Sequence, residues 1–187
     1  MMYYISKGVA YKESGINNVH ISRCGGNYIL RKNQAQLWLA GRFSVANSKN
    51  EEQQSELLEL ESMGLVEVTE PDDSASYQLL TNCVICKVNP VVSRFPLSKN
   101  EKLIWVWIKN AGFKLNISEL IYLNEQNIMP GPDFFGKDNW HTLIHAIYTQ
   151  ETIFDRILDA KMAESSARNR TVSAVLGLLR KKRIILV

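Results

Sequence analysis

Between residues 18 and 31 the chain alternates, with Val19 and Ile21 set against His20 and Ser22, then Gly25-Gly26-Asn27, then Tyr28-Ile29-Leu30. Period-two alternation puts every second side chain on one face of a strand, and the glycine pair is turn chemistry, so the stretch predicts a hairpin. An earlier strand is expected around residues 3–11. The period then lengthens. Residues 33–40 read as a helix ended by Gly41, and residues 48–63 as a stronger one, with Leu57, Leu58, Leu60 and Met63 on one face and Gly64 as its stop. After Gly64, residues 65–69 read as a strand, 70–74 as an acidic turn and 76–81 as a returning strand.

Pro90 and Pro96 mark a boundary, beyond which the pattern is helical. Ser98-Lys99-Asn100-Glu101 is a helix entry for an apolar run from Leu103 to Ile108 that ends near Gly112. A second helix runs from about Ser118 to Gln126, and Pro130-Gly131-Pro132 with Gly136 makes residues 129–137 a loop. Three helices then follow over residues 138–149, 153–162 and 170–182, with an apolar strand at 184–187. Their short connections are those of a trihelical helix-turn-helix unit. In the last helix Val172, Val175, Leu176 and Leu179 form the core face, which leaves Arg170, Ser173, Ala174, Gly177 and Lys181 opposite. The expected organisation is α+β in two modules: residues 1–92, β-rich, and residues 97–187, mainly helical.

Two stretches resemble a known family. LLELESMGLVEVTEPDDSASYQLLT, residues 57–81, resembles the end of the third helix and the wing of winged-helix transcription regulators, down to the Tyr-x-Leu-x-Thr finish. SSARNRTVSAVLGLLRKKRIIL, residues 165–186, looks like the recognition helix and following strand of helix-turn-helix regulators. The resemblance implies tandem winged-helix-like units, with Ser166, Arg168, Arg170, Thr171 and Ser173 facing DNA and Lys181, Lys182 and Arg183 beside its backbone. The chain departs from that pattern at Val187, where the last strand lacks a following partner and must pair elsewhere in the molecule or in a second subunit.

The residues themselves point the same way. A recognition helix reads base edges from its N-terminal end, which here holds Asn169, Arg170, Thr171 and Ser173. Gly177 inside a helix costs about 1 kcal/mol against alanine and makes sense as a point of close approach. Arg180, Lys181, Lys182 and Arg183 sit where a helix dipole favours cations and need no ligand, whereas Arg168 and Arg170 open the helix, where it disfavours them.

Charge sharpens this picture. The 187 residues carry a net charge of +3, but residues 1–96 sum to −1 and residues 97–187 to +4, and the last 27 alone hold +6. That excess suits an anionic partner. The first module opposes it, with Glu51, Glu52, Glu56, Glu59, Glu61, Asp72 and Asp73 disposed to repel phosphate, so protein contact or homodimerisation is its expected role. No apolar run approaches the roughly 20 residues of a membrane span, and the N-terminal residues lack a signal-peptide pattern. With three cysteines the chain is expected to be cytoplasmic. Cys83 and Cys86 read as structural thiols, because a zinc site needs more ligands than their surroundings offer. His141 and His145 stand one turn apart with Thr142 where a zinc protease needs glutamate, so no catalysis, metal or cofactor is expected. The expected function is a non-catalytic transcription regulator that reads double-stranded DNA with its last helix. The alternative is a peptide- or protein-binding adaptor, since the hairpin before the first helix resembles winged-helix peptide-recognition elements, a resemblance that implies grip on a peptide by strand addition.

Overall fold

The computed structural model describes residues 1–13, 18–88, 95–135 and 139–187. Pro90, Gly136 and Asp138, used above to place a boundary, a loop and a helix start, lie outside the described residues. The protein is mixed α+β. In chain order its elements are β1 (Tyr3–Ser6), β2 (Val9–Glu13), β3 (Asn18–Arg23), β4 (Gly26–Arg31), α1 (Lys32–Gly41), β5 (Ala46–Asn47), α2 (Glu51–Ser62) and β6 (Val66–Thr69). They continue with α3 (Ala75–Thr81), β7 (Ile85–Lys87), α4 (Lys99–Asn110), α5 (Ile117–Glu125), a 3₁₀ turn (Pro132–Phe134), α6 (Trp140–Ile147), α7 (Asp155–Ala163), α8 (Arg168–Arg180) and β8 (Ile184–Leu186).

The strands form three small antiparallel sheets, ordered β5-β1-β6, β2-β3-β4 and β7-β8. The hairpin of residues 18–31 forms with Val19 opposite Leu30 and Ile21 opposite Tyr28. The strand expected over residues 3–11 is two strands in different sheets, divided at Gly8. Its φ of +106° suits glycine, and a Cβ there would stand 2.7 Å from Ile21 Cγ2.

The wing expected at residues 65–81 does not form. β6 pairs with β1, and the segment expected to return as a strand is the helix α3. The Asp72 carboxylate explains the switch, since it accepts from the Ser74 backbone N–H (2.6 Å) and the Ser74 hydroxyl (2.8 Å) and so starts a helical turn. Leu79 and Leu80 are both buried, which consecutive strand residues facing one core could not be.

Two apolar cores result, and they meet at β1. Tyr4 enters a core with Val19, Ile21, Leu30, Trp38, Leu57 and Leu60, while its neighbour Ile5 enters one with Leu79, Leu80, Ile85, Trp107, Leu120, Val175 and Leu186. α3 and β7 thus pack with the C-terminal helices, although the expected module of residues 1–92 contains them. The last strand finds its partner inside the chain: Ile85 pairs with Leu186 and Lys87 with Ile184, and the Leu186 carbonyl also accepts from the Gly8 N–H at 2.8 Å.

Two capping boxes start the central helices, Ser98 with Glu101 on α4 and Asn116 with Glu119 on α5. Beneath α5 the Tyr148 hydroxyl lies 3.0 Å from Glu119 Oε1 and 2.6 Å from Asp155 Oδ1. One hydroxyl proton cannot serve two carboxylates. Burial, with help from the charges of Asp155 and Asp159, holds the Glu119 carboxyl above the usual glutamate range. A carboxyl raised in the folded state contributes stability that is complete below its unfolded value, about 4.3, and is lost as pH rises through its folded value. Glu119→Gln keeps an oxygen for the Asn116 N–H and gives Tyr148 a donor, freeing the tyrosine proton for Asp155. We expect this variant to melt above the parent at pH 7 and to lose that advantage near pH 4. An equal loss of stability at both pH values would contradict the proton assignment.

Candidate nucleic-acid interface

α8 is a central helix. It buries Thr171, Val172, Ala174, Val175, Gly177, Leu178 and Leu179 against α3, α4 and α5. Val172, Val175 and Leu179 face the core as their spacing predicts, but Leu176 is half-buried. The exposed residues of the helix are Asn169, Arg170, Ser173 and Arg180.

The face expected to approach a groove is covered by α4. Glu101, 7% exposed, occupies the notch at Gly177, where a Cβ would stand 2.2 Å from its Oε1. The same carboxylate accepts from the Ser98 N–H at 2.6 Å and from Lys181 Nζ at 2.7 and 2.6 Å. Burial alone would raise the Glu101 carboxyl, but hydrogen bonds from Lys181 and Ser98 outweigh it and hold it below the usual range. Gly177 is therefore a site of close approach for α4 rather than for a ligand, and the charge of Lys181 is met within the protein.

At the opening of α8 the cations also have internal partners. Arg168 Nη1 donates to the Ala163 carbonyl at 2.7 Å, so its guanidinium meets the negative end of α7, which offsets its unfavourable place in the first turn of α8. Arg168 Nε donates to Asn169 Oδ1 at 3.1 Å. Arg170 Nη2 donates to Asn124 Oδ1 at 3.2 Å, while Asn124 Nδ2 donates to the hydroxyl of Thr171 at 2.8 Å. Thr171 is fully buried and cannot face DNA. Ser166, Asn169 and Ser173 are exposed as expected, and Arg170 borders a groove with Lys99 and Lys102.

The far end of α8 closes in a Schellman motif. Arg183 N–H bonds the Leu178 carbonyl (3.0 Å), Lys182 N–H bonds that of Leu179 (2.9 Å), and Lys182 takes a left-handed φ of +55°. This turn carries Lys182 over the Phe43 ring, 5.0 Å from its centroid, while Arg42 lies 4.7 Å from the same ring. Arg183 folds back over Trp105, 5.9 Å from the ring.

A cleft of about 530 Å³ opens beside this end. Arg42, Lys87, Arg180, Lys181 and Lys182 line it, on an apolar floor that includes Val88 and Ile185, with Phe43 and Phe95 at its side. Among the described residues no carboxylate lines it, and no acid pairs with Lys87, Arg180 or Lys182. By contrast, the cavity of about 400 Å³ between α1 and α2 is lined by Glu52, Glu56 and amides, with Lys49 as its cation. The basic cleft gathers Lys181 and Lys182 from the expected set and adds Arg42, Lys87 and Arg180. Arg42 and Lys87 stand far from α8 in sequence, and only the pairing of β7 with β8 brings Lys87 there.

The other residues weighed from the sequence lie away from the cleft's lining. Cys83 is buried, with its thiol pushed up to about 12 by burial, and bonds the Leu79 carbonyl at 3.1 Å. His141 and His145 are exposed on α6, His141 against the Trp140 ring. Among the described residues no group of three or more His, Cys, Asp or Glu side chains is placed to hold a metal ion, and no helix is long and apolar enough to cross a membrane.

In an open helix Gly177→Ala would gain about 1 kcal/mol. Here it displaces Glu101, whose charged hydrogen bonds contribute about 1.5–3 kcal/mol each. Losing one of them against that gain leaves a net loss of about 1 kcal/mol, read as a melting temperature lower by about 2–4 °C; a rise would contradict the close approach. Compared with family models, curated proteins and solved structures, the chain shows no match.

Proposed function

We propose that this chain is a non-catalytic DNA-binding protein, a regulator of the helix-turn-helix kind, whose contact surface is the basic cleft at the C-terminal end of α8. The observation that carries this reading is the convergence of Arg42, Lys87, Arg180 and Lys182, beside a Lys181 already paired with Glu101, on one cleft that no carboxylate lines among the described residues. Phosphate is the common anion that several convergent cations serve at once, and neutralising it dominates affinity for nucleic acid. The helix-turn-helix likeness is kept for the C-terminal helices α6, α7 and α8 with β8. Ser166, Asn169, Arg170 and Ser173 are secondary contacts on this reading, because α4 limits how far α8 can enter a groove.

A second reading has its own observation. β2 is an edge strand of its sheet, and Val9 and Ala10 of that strand line the same cleft. An acidic peptide could add to β2 and reach the same cations.

Titration of labelled duplex DNA at two salt concentrations separates the two. The DNA reading expects a steep loss of affinity with salt, and about a tenfold weakening in the double variant Arg180→Ala with Lys182→Asn. Asparagine keeps the left-handed backbone at residue 182 available. Arg168→Ala should change stability and leave affinity as in the parent. Parent-like binding by the double variant, or binding of an acidic peptide with none of DNA at low salt, would sink the DNA reading.

A further inference from the structure

Resting on the cationic cleft of that reading, and replacing its duplex with an unpaired strand, we propose that the nucleic acid bound is single-stranded, and that its track runs from the basic cleft past Lys87 into a second groove across the β7–β8 ribbon. Lys87 borders both cavities: the cleft already described and a groove of about 320 Å³ on its other side, where Lys109, Lys114 and Phe113 stand. The ribbon between them has two unlike faces. Ile85, Ile184 and Leu186 are buried in the core, whereas Cys86 and Ile185, partners across the ribbon, are only partly buried. Ile185 lines the cleft and Cys86 the second groove, so this cross-strand pair forms the saddle between them. Among the described residues the second groove, like the first, has no lining carboxylate, and no ion pair is formed by Lys109 or Lys114.

The aromatic residues point to the kind of strand. Phe95 is 67% exposed beside the cleft, and Phe113 is half-buried in the second groove. A duplex keeps the faces of its bases inside the stack and offers side chains only phosphates and base edges. An unpaired strand offers base faces as well, and a cationic groove interleaved with aromatic rings is the arrangement that holds it without sequence preference.

The test uses the full chain with labelled oligonucleotides: a dT 6-mer, a dT 20-mer, a U 20-mer and a 20-bp duplex. The dT 20-mer should bind at least about tenfold more tightly than the duplex, the gain expected from one or two stacked bases. Lys109→Ala with Lys114→Ala, both at exposed positions, should reduce the salt slope of the dT 20-mer by about 1.4, at about 0.7 per single-strand phosphate contact, and leave the 6-mer unchanged. Comparison with the U 20-mer decides whether DNA or RNA supplies the strand. A duplex that binds as tightly as the single strand, or a parental slope in the lysine variant while Arg180→Ala with Lys182→Asn still weakens binding, overturns this inference and leaves the nucleic-acid reading standing. Failure of every oligonucleotide to bind at low salt overturns both.

Discussion

The Glu101 carboxylate fills the notch at Gly177, accepts two contacts from Lys181 and closes the first turn of α4. Taking a charge out of water costs several kcal/mol unless a partner and hydrogen bonds replace the lost solvation, and Glu101 has both. Much follows from this placement. It sets α4 against the side of α8 that carries Gly177, so the exposed side turns toward Asn169, Ser173 and Arg180. It also satisfies Lys181 internally, so that Arg180 and Lys182 are the outward charges where α8 ends.

The same end of the molecule depends on strand pairing at a distance. β8 adds to β7, and its last carbonyl reaches Gly8, the hinge between β1 and β2. Because Tyr4 and Ile5 alternate into two different cores, β1 ties the hairpin layer to the C-terminal helices. The cleft sits along this seam, with Arg42 and Phe43 from the turn after α1, Lys87 from β7 and the cations at the end of α8. Its charge is contributed from three places in the chain, which no single stretch of sequence displays.

Local patterns predicted most elements well: the hairpin, α1, α2 and the C-terminal helices were legible because period and punctuation agree there. α3 was not, since Tyr77, Leu79 and Thr81 mimic strand alternation while the deciding signals were Asp72 as a turn initiator and Leu80 as a second buried leucine. The site was legible in its charge and misleading in its detail. Arg168 looked misplaced at a helix N-terminus because the end of α7, which its guanidinium serves, is contributed by the preceding helix. Thr171 has the right chemistry for a DNA contact, but Asn124 takes its hydroxyl in the interior. Gly177 correctly signalled close approach, and the approaching group is Glu101. Arg42 and Lys87 gave no local sign of their role.

Amide hydrogen exchange on the full chain, with and without a saturating oligonucleotide, tests the location of the interface most directly. The cleft predicts new protection at Arg42 and Phe43, at Lys87 and Val88, and from Arg180 to Ile185, with little change over Arg168 to Ser173. Protection concentrated at Arg168 to Ser173, with none at the cleft, would return the interface to the helix opening and contradict the account.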